Sequence, residues 1–568
     1  MLDVIQVELE KLRESDFFTN VIQGPLWKQK MTHFDENDFV LPLALFGDDF
    51  EANNALGPHS GKLAAIYGSV ACLPPECRSV LENIFLFLLY ESDDRVELRN
   101  DVLLQELIID LNKLATEGLV LNLPSREAKV YVVMCFVLGD NLALQQYFNL
   151  VESFSALYFC RFCKTPKSLT QSLTTDEGVV VRNAENYDTD LAIGDCSRTG
   201  IKAYCALNKV KFYHVTENFT VDILHDLAEG FCDTVMLCVL DYFVNVLKLF
   251  DFETLNFRMD MFNYGPVVSN KPPLLSGNRF ENTKLKMTGS EKLTFVHLLG
   301  IMIGDLVPVG DAYWELYLSL RKVIDIAMSP VVSVDTPRAL RAHVKAMLEL
   351  YLSLNATHAL KPNAHFLTHY PVCMEKCGPL RNMSCFRDEA KHRQLKAAAT
   401  ATPSRRNIAF TVAVKHHLNL SFRFKANVSI LPQTESGSGH IENLEKNENF
   451  FLFCDSLPLS YHLSGCKCYV TNWVSYKGTR YSPSMLLLVG FDECSLPVFA
   501  EIKLVAIHSE QILFICQNMR TVGFEEHVHG YQVVHNSKWT CYTVDSLVRP
   551  KPLFPHKTIR GDLTVILM

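Results

Sequence analysis

Aspartates that directly follow two apolar runs of the chain are candidates for a metal site. Asp48 and Asp49 follow residues 39–46, and Asp140 follows residues 129–139. Carboxylate oxygens are the ligands that hard divalent cations such as Mg²⁺ prefer, so aspartates that the fold brings together could hold one. Gly-Asp sequences are also typical of the turns at which strands end. The spacing by itself leaves both interpretations open.

A second candidate metal site begins with two cysteines at the spacing of a metal knuckle. Cys160 and Cys163 form a Cys-x-x-Cys sequence, and a structural Zn²⁺ ion needs four ligands. Residues that could supply the remaining ligands follow within the same region: Cys196, Cys205, His214 and His225. A lone Cys-x-x-Cys sequence is equally typical of two buried free thiols, so zinc and free thiols are both open interpretations.

The segment from Ala390 to Thr434 differs in charge from the rest of the chain. It contains no Asp or Glu, whereas the whole protein has a net charge of −9. The segment holds eight basic residues: Lys391, Arg393, Lys396, Arg405, Arg406, Lys415, Arg423 and Lys425. A local positive field of this kind suits a phosphate backbone, and we predict that the first five contact DNA. The alternative is a solvated face beside an acidic neighbour.

The composition is that of a globular protein, with 48% hydrophobic and 21% charged residues among 568. At about 100–200 residues per domain, this length allows three or four domains. The 18 cysteines come without an apolar secretory signal, so we expect reduced thiols and a nuclear or cytoplasmic protein that is not secreted. The sequence has no run of 18 apolar residues, and we expect no membrane partner.

The spacing of apolar residues in the first quarter of the chain predicts the elements that would position the aspartates. Short apolar runs predict strands, and apolar spacings of three and four predict a helix. The predicted strands are residues 39–46, 63–73, 83–90 and 129–139, with a helix over 102–114 before the last. Three strands, a helix and a strand are the order of ribonuclease-H-like folds. Because the first and fourth strands are neighbours in that fold, Asp48 and Asp140 would meet.

The remainder of the chain indicates an α/β protein whose ribonuclease-H-like core is split by a large, mainly helical insertion and followed by a small β-rich C-terminal domain. The predicted segments are an N-terminal helix and tail (1–37), the first part of the core (38–158), a Cys-containing helical insertion (159–372), the second part of the core (373–432), a linker (433–449) and the β-rich domain (450–568).

Five blocks of sequence, taken in order, identify a family. They are residues 45–67 (LFGDDFEANNALGPHSGKLAAIY), 137–163 (VLGDNLALQQYFNLVESFSALYFCRFC), 214–230 (HVTENFTVDILHDLAEG), 361–371 (KPNAHFLTHYP) and 387–396 (RDEAKHRQLK). Together they resemble blocks of CACTA (En/Spm)-type DNA transposases, particularly the animal transposon-like relatives of that family. The resemblance covers about residues 40 to 560. One such block would be a weak signal, whereas five in order are fairly specific.

The resemblance implies a DDE-type enzyme whose metal-binding carboxylates are Asp48, Asp140 and Glu389. Two neighbouring acids compete for these roles, Asp49 with Asp48 and Asp388 with Glu389. Asp48 is preferred because the family's aspartate lies two residues before an aromatic residue, as Asp48 does. Glu389 is preferred because the family usually has an aromatic residue where Asp388 stands.

The implied chemistry is hydrolysis of DNA phosphodiesters followed by strand transfer. Two Mg²⁺ or Mn²⁺ ions about 3.5–4 Å apart stabilise the attacking and leaving oxygens in such reactions. A helix around Glu389 would place His392, Arg393 and Lys396 on the same face as Glu389. The Asp222–His225 pair resembles the DxxH block of the family and implies a position near the scissile DNA. Its alternative is a helix N-terminus with a hydrogen-bonded histidine.

Two other functions are compatible with the same residues. One is a catalytically inactive transposon remnant that acts as a DNA- or protein-binding scaffold, and the other is a nuclease unrelated to transposition. Only 47 residues precede Asp48, whereas transposases of this family commonly carry a longer DNA-binding region there. We therefore expect weak, sequence-indifferent DNA binding. A homo-oligomer is compatible with the sequence, which does not specify the oligomeric state.

Overall fold

The computed structural model describes residues 2–13, 15–36, 38–52, 61–122, 127–275, 284–355, 358–404, 406–458, 461 and 467–567. Its α-helices are, in chain order, α1 (Leu2–Arg13), α2 (Pro25–Met31), α3 (Pro75–Arg78), α4 (Asp94–Leu103), α5 (Gln105–Thr116), α6 (Asn141–Tyr147), α7 (Lys167–Thr170), α8 (Ala184–Ile193), α9 (Cys196–Thr199), α10 (Cys232–Asp241), α11 (Phe252–Met261), α12 (Gly289–Ile303), α13 (Ala312–Ala327), α14 (Thr336–Leu354), α15 (Pro362–Thr368), α16 (Tyr370–Cys377), α17 (Phe386–Thr400), α18 (Ile408–Lys425) and α19 (Phe450–Phe453). Two π-helical stretches are Ile223–Phe231 and Tyr242–Val246.

The strands form three sheets. In chain order they are β1 (Phe39–Glu51), β2 (Lys62–Val70), β3 (Phe85–Glu91), β4 (Leu119–Asn122), β5 (Glu127–Leu138), β6 (Glu435–Ser436), β7 (Gly439–Asn443), β8 (Lys467–Thr471), β9 (Val474–Tyr476), β10 (Thr479–Tyr481), β11 (Leu486–Phe491), β12 (Pro497–His508), β13 (Gln511–Glu525), β14 (Gly530–Thr543), β15 (Arg549–Leu553), β16 (Pro555–Lys557) and β17 (Leu563–Val565). The protein is therefore mixed α/β, as predicted.

The chain divides into two compact units. The first consists of residues 1–231 and 322–430, and the second of residues 232–321 and 431–568. The predicted insertion 159–372 is thus divided between the two units, because its middle part groups with the C-terminal part of the chain.

The first unit is built on a five-stranded sheet with the strand order β3-β2-β1-β5-β4. β1, β2 and β3 are antiparallel neighbours, and β5 lies parallel to β1 on its other side. Long apolar runs produce the central strands because both faces of β1 and β5 are largely buried. Burial of each large apolar side chain contributes about 1.5–3 kcal/mol, which favours this central position. The prediction that the first strand lies next to the strand that follows the helix is confirmed, because β1 pairs with β5.

The structure differs from the predicted elements in three details of the first unit. β1 continues to Glu51, so Asp48 and Asp49 lie within the strand and not after it. Two helices, α4 and α5, replace the single predicted helix, and the short strand β4 pairs with β5 at the sheet edge. Gly47 allows close packing beneath β1, since a Cβ atom there would lie 2.4 Å from the Tyr147 ring.

The second unit contains the predicted β-rich C-terminal region. Its nine-stranded sheet includes the path β15-β11-β12-β13-β14-β17-β16, with the long strands β12, β13 and β14 paired antiparallel. Two short strands, β6 and β7, lie within the predicted linker 433–449 and pair with β9 and β8. Across the part of the chain that the structure describes, no helix is both long and apolar enough to cross a membrane.

Candidate active site and metal centre

Asp48 lies on the face of β1 that meets α17. Its Oδ2 atom is 3.1 Å from Nε2 of His392, and its Oδ1 atom accepts a 2.8 Å hydrogen bond from the backbone N–H of Asp49. The alternation of side chains along a strand points Asp49 the other way, and Asp49 forms an ion pair with Arg95. Of the two adjacent aspartates, Asp48 is therefore the one in contact with the predicted glutamate helix.

An open cavity of about 470 Å³ separates β1 from α17. It is lined by Asp48, Asp49, Phe50, Glu51, Lys62, Glu389, Ala390, His392, Arg393 and Lys396. Glu389 and His392 are three residues apart on α17 and share its inner face, whereas Arg393 and Lys396 are exposed. The predicted juxtaposition of a carboxylate pair with cationic side chains thus occurs around one cavity, which we call the carboxylate cavity.

Asp388 lines a different cavity from Glu389. It is buried in a cavity of about 310 Å³ whose lining also includes Arg78, Arg381 and Arg387. Burial raises the pKa of Asp388 to about 7, although the charge of Arg78 opposes the rise. Since successive helix residues point about 100° apart, Glu389 and Asp388 cannot both face Asp48. Glu389 shares the cavity with Asp48.

Asp140 begins α6 directly after β5. Its side chain accepts a 2.6 Å hydrogen bond from the N–H of Ala143 and caps the helix. Burial raises the pKa of Asp140, and the charges of Asp48 and Asp222 add to the rise while that capping hydrogen bond and the charge of His225 oppose it. Asp140 therefore has a capping role as well as electrostatic interactions with the acids of the carboxylate cavity.

The predicted Asp222–His225 pair is present at the start of a π-helical stretch, Ile223–Phe231. His225 Nδ1 lies 2.9 Å from Oδ2 of Asp222, which is fully buried. Burial lowers the pKa of His225, but Asp222, Glu389 and Asp140 outweigh that effect and raise it to about 10. A protonated imidazole thus offsets part of the negative charge of the surrounding acids. π-Helical turns frequently occur at functional sites.

Mutual electrostatics link the predicted acids into one group. Burial raises the pKa of Glu389 to about 7; the charge of His225 opposes the rise, whereas Asp48, Asp222 and Glu229 add to it. Like charges held this close favour the binding of a cation or a proton. Among the described residues, however, the carboxylates of Asp48, Asp140 and Glu389 do not form a group whose ligand atoms all lie within 4.8 Å of one another.

A compact group of metal ligands does occur elsewhere in the first unit. One ligand atom from each of Cys160, Cys163, His365 and His369 lies within 4.8 Å of the others, and all four residues are buried. Cys163 Sγ is 3.4 Å from Nε2 of His365, and Cys160 Sγ is 3.5 Å from Nε2 of His369. Two thiols and two imidazoles at these distances are a donor set for a tetrahedral ion such as Zn²⁺. We call this group the Cys2His2 centre.

The two cysteines of the Cys2His2 centre shift in opposite directions, since burial raises the pKa of Cys160. A hydrogen bond from Cys160 lowers the pKa of Cys163 against the effect of burial, and the two histidines lower it further. Burial lowers the pKa of His365 and keeps its imidazole neutral. Metal ligation requires a thiolate and neutral imidazoles. The cluster could therefore bind a metal such as zinc.

The zinc partners predicted from the sequence are wrong. Cys196 is exposed, Cys205 contacts the carbonyl of Tyr147, His214 bonds to Asn208 and Thr216, and His225 bonds to Asp222. The actual neighbours of the two cysteines stand about 200 positions further on, His365 being 202 residues after Cys163. The sequence does contain a pattern that indicates these ligands, because His365 and His369 have the His-x3-His spacing of zinc ligands.

Arg161 connects the Cys-x-x-Cys loop to the segments that precede Asp222 and follow Asp140. It lies between the two cysteines, and its guanidinium sits 4.9 Å from the centre of the Phe366 ring. Its N–H groups donate to the side-chain oxygen of Asn141, which follows Asp140, and to the carbonyl of Thr220 at 3.0 Å. The residue between the two cysteines thus bonds to the side chain that follows Asp140 and to the backbone two residues before Asp222.

The predicted DNA-contacting residues have different fates. The burial of Lys391 speaks against its predicted contact with DNA. The residue is 2% exposed, and its side chain donates to the carbonyl of Leu81 at 2.8 Å. Burial lowers its pKa to about 8. Arg393, Lys396 and Arg406 are exposed, and Arg405 lies outside the described residues. The basic segment therefore offers fewer free cations than its composition indicates.

Neither the protein-family models nor the curated proteins contain a match to this chain. Its function has to be inferred from the two sites themselves.

Proposed function

We propose that the chain is a transposase or transposase-derived protein that hydrolyses DNA phosphodiesters and transfers strands with the help of divalent cations. The observation that carries the proposal is the carboxylate cavity, which Asp48 and Glu389 line together with Arg393 and Lys396. Asp140 interacts electrostatically with Asp48 and completes the three acids of the family that the sequence resembles.

The strand arrangement supports a ribonuclease-H-like core. Three antiparallel strands in the order β3-β2-β1, with β5 parallel to β1, agree with the arrangement that places the first and fourth strands of such a core side by side. The acids then come from β1, from the second residue after β5 and from a later helix. The edge strand β4 is antiparallel and is an addition to this arrangement.

The acidic residues fit divalent cations in their chemistry. Asp48, Asp140 and Glu389 would hold Mg²⁺ or Mn²⁺, which when bound stabilises the attacking and leaving oxygens at phosphorus. Arg393 and Lys396 are exposed at the cavity and would hold the DNA phosphates.

The Cys2His2 centre has a structural role in this proposal. It is fully buried, and all four of its positions are occupied by protein ligands, whereas catalytic zinc sites keep a position open for water or substrate. Zinc there would tie the Cys-x-x-Cys loop to α15. Through Arg161 it would also hold the side chain of Asn141, which follows Asp140, and the carbonyl of Thr220, two residues before Asp222.

The test is nicking of supercoiled plasmid by the purified full chain with Mg²⁺ or Mn²⁺. We expect cleavage that EDTA abolishes and that Asp140→Ala and Glu389→Ala reduce by about a thousandfold. Metal ions supply several kcal/mol of transition-state stabilisation, and each 1.36 kcal/mol is a factor of ten. Asp101→Ala, which removes a more exposed aspartate, is the matched control and should cleave like the wild type.

A second candidate function is a scaffold that binds DNA without cleaving it. Two structural features favour it: the three carboxylates form no compact ligand group among the described residues, and Asp140 caps α6. Salt-sensitive DNA binding with no metal-dependent cleavage by the wild-type chain would support the scaffold. Absence of DNA binding at low salt would contradict both functions.

A further inference from the structure

His392 is held on both nitrogens inside the first unit. Its Nε2 atom lies 3.1 Å from Oδ2 of Asp48, and its Nδ1 atom lies 2.9 Å from the hydroxyl of Tyr67. The ring stacks on Phe50 with 4.6 Å between ring centres and also packs against Phe46. With 6% of its surface exposed, His392 has little freedom to rotate.

The register of the sheet brings the hydroxyl and the carboxylate to the same imidazole. In the antiparallel β1–β2 pair, Phe46 is opposite Tyr67 and Asp48 is opposite Ala65. Residues two apart on a strand share a face, so Tyr67 and Asp48 project toward α17 together. His392 comes down between them from the helix.

The chemistry of the partners determines the hydrogens on the ring. An ionised carboxylate only accepts hydrogen bonds, so the nitrogen facing Asp48 must carry the hydrogen. The Tyr67 hydroxyl can then donate to Nδ1, and burial raises the pKa of Tyr67, which keeps the hydroxyl protonated. The chain of bonds runs from Tyr67 O–H to His392, and from His392 Nε2–H to Asp48.

We propose that Tyr67 and His392 are positioning residues that orient the Asp48 carboxylate toward the cavity, and that His392 is not itself a metal ligand. The inference rests on the proposed function, since it names how one metal-binding acid of that site is held. Asp48 accepts one hydrogen bond on each oxygen, from His392 and from the Asp49 N–H. A carboxylate has about four acceptor positions, so lone pairs remain for a cation.

Binding of Mn²⁺ to the full chain, followed by the electron paramagnetic resonance signal of free Mn²⁺, tests the role of His392. We expect His392→Ala to weaken Mn²⁺ binding by about 10–100-fold, as loss of a hydrogen-bonding partner of a metal ligand commonly does. His392→Gln keeps an N–H donor of similar reach and should stay within a few fold of the wild type. Tyr67→Phe should lie between them.

The controls separate positioning from folding and from ligation. Tyr187→Phe removes another buried hydroxyl of the first unit, bonded to the N–H of Cys205, and should bind Mn²⁺ like the wild type. Unchanged binding in His392→Ala and Tyr67→Phe would overturn the inference. Equal losses in His392→Gln and His392→Ala would also overturn it, because they would make the imidazole a ligand.

A measurement without metal distinguishes failure of this inference from failure of the proposed function. If the wild type and Asp48→Asn bind Mn²⁺ equally poorly, the metal site is contradicted. The ¹⁵N chemical shifts of the His392 ring still show which of its nitrogens carries a hydrogen. The His392 signals are identified as those that disappear in His392→Gln. The Tyr67–His392–Asp48 chain is supported if Nε2 carries the hydrogen in the wild type and if the hydrogen is no longer confined to Nε2 in Tyr67→Phe. An unprotonated Nε2 in the wild type overturns it.

Discussion

The carboxylate cavity and the Cys2His2 centre lie in the same unit but hold their charge in opposite ways. The Cys2His2 centre is closed, with four buried ligands within 4.8 Å of one another. The carboxylate cavity is open, about 470 Å³ in volume, and its acids come from β1 and α17. Asp140, at the start of α6, interacts electrostatically with Asp48. The Cys2His2 centre has room only for an ion, whereas the carboxylate cavity leaves room for a substrate.

The difference teaches how stability and chemistry are divided in this unit. Soft thiolates and neutral imidazoles bind zinc tightly and gain folding energy from it. Burial raises the pKa of Glu389 to about 7, and the charges of Asp48, Asp222 and Glu229 add to the rise while His225 opposes it. Keeping the buried Glu389 ionised therefore costs the protein stability, whereas a metal such as zinc, bound at the Cys2His2 centre, would stabilise it.

The largest expected effect comes from breaking the Cys2His2 centre. Cys163→Ser should abolish zinc binding and lower the unfolding free energy by about 4 kcal/mol or more, since loss of a structural metal belongs to the most destabilising class of mutation. Zinc per chain, measured by mass spectrometry, and the thermal midpoint of the purified protein check this. Cys196→Ser, at an exposed cysteine, should change neither value. A variant without zinc but with wild-type stability would contradict the structural role.

The opposite sign is expected at the carboxylate cavity. Glu389→Gln and Asp140→Asn should raise the stability of the metal-free protein by about 0.5–2 kcal/mol, because they relieve a strained functional site. Asparagine can still cap α6, so the second variant removes charge alone. Chemical denaturation with and without EDTA checks the sign. Destabilisation by both variants, with zinc retained, would show that these acids serve the fold and not a cation.

A pH effect is expected from His225. Its folded pKa of about 10 lies above the ordinary histidine value of 6.5, so its charge contributes stability that is complete below pH 6.5 and lost as the pH rises through 10. The destabilisation by His225→Gln should therefore be larger at pH 6 than at pH 10. Denaturation midpoints at both pH values measure it, with His440→Gln at an exposed histidine as the control. Equal destabilisation at both would contradict the coupling to Asp222.

The smallest effect concerns the cations at the rim of the carboxylate cavity. Arg393→Ala and Lys396→Ala should each weaken DNA binding and reduce the slope of log affinity against log salt by about 0.9, the value for one phosphate contact. Fluorescence anisotropy over a salt series measures the slope. Lys425→Ala, exposed at the end of α18, should leave it unchanged. An equal reduction in all three would indicate a diffuse basic field instead of a cavity-centred one.

The sequence by itself determined the local elements and the residue types of both sites. Apolar runs predicted β1, β2, β3 and β5, because a strand of a central sheet has to bury both faces. Ligand spacing is also local: Cys-x-x-Cys sits on one loop and His-x3-His on one helical turn. The competing neighbours Asp49 and Asp388 could be ranked only by resemblance, since spacing treats adjacent acids alike.

Only the tertiary structure decided which local motifs meet. The pairing of the two cysteines with His365 and His369 depends on contacts across 202 residues, and nothing in the spacing of either motif specifies the other. The packing of α17 against the sheet likewise decides two other contacts. It buries Lys391, which donates to the carbonyl of Leu81, and it brings His392 to Tyr67 and Asp48. Local sequence limits the backbone of a segment, whereas long-range packing selects its neighbours, and both sites of this protein are made of neighbours.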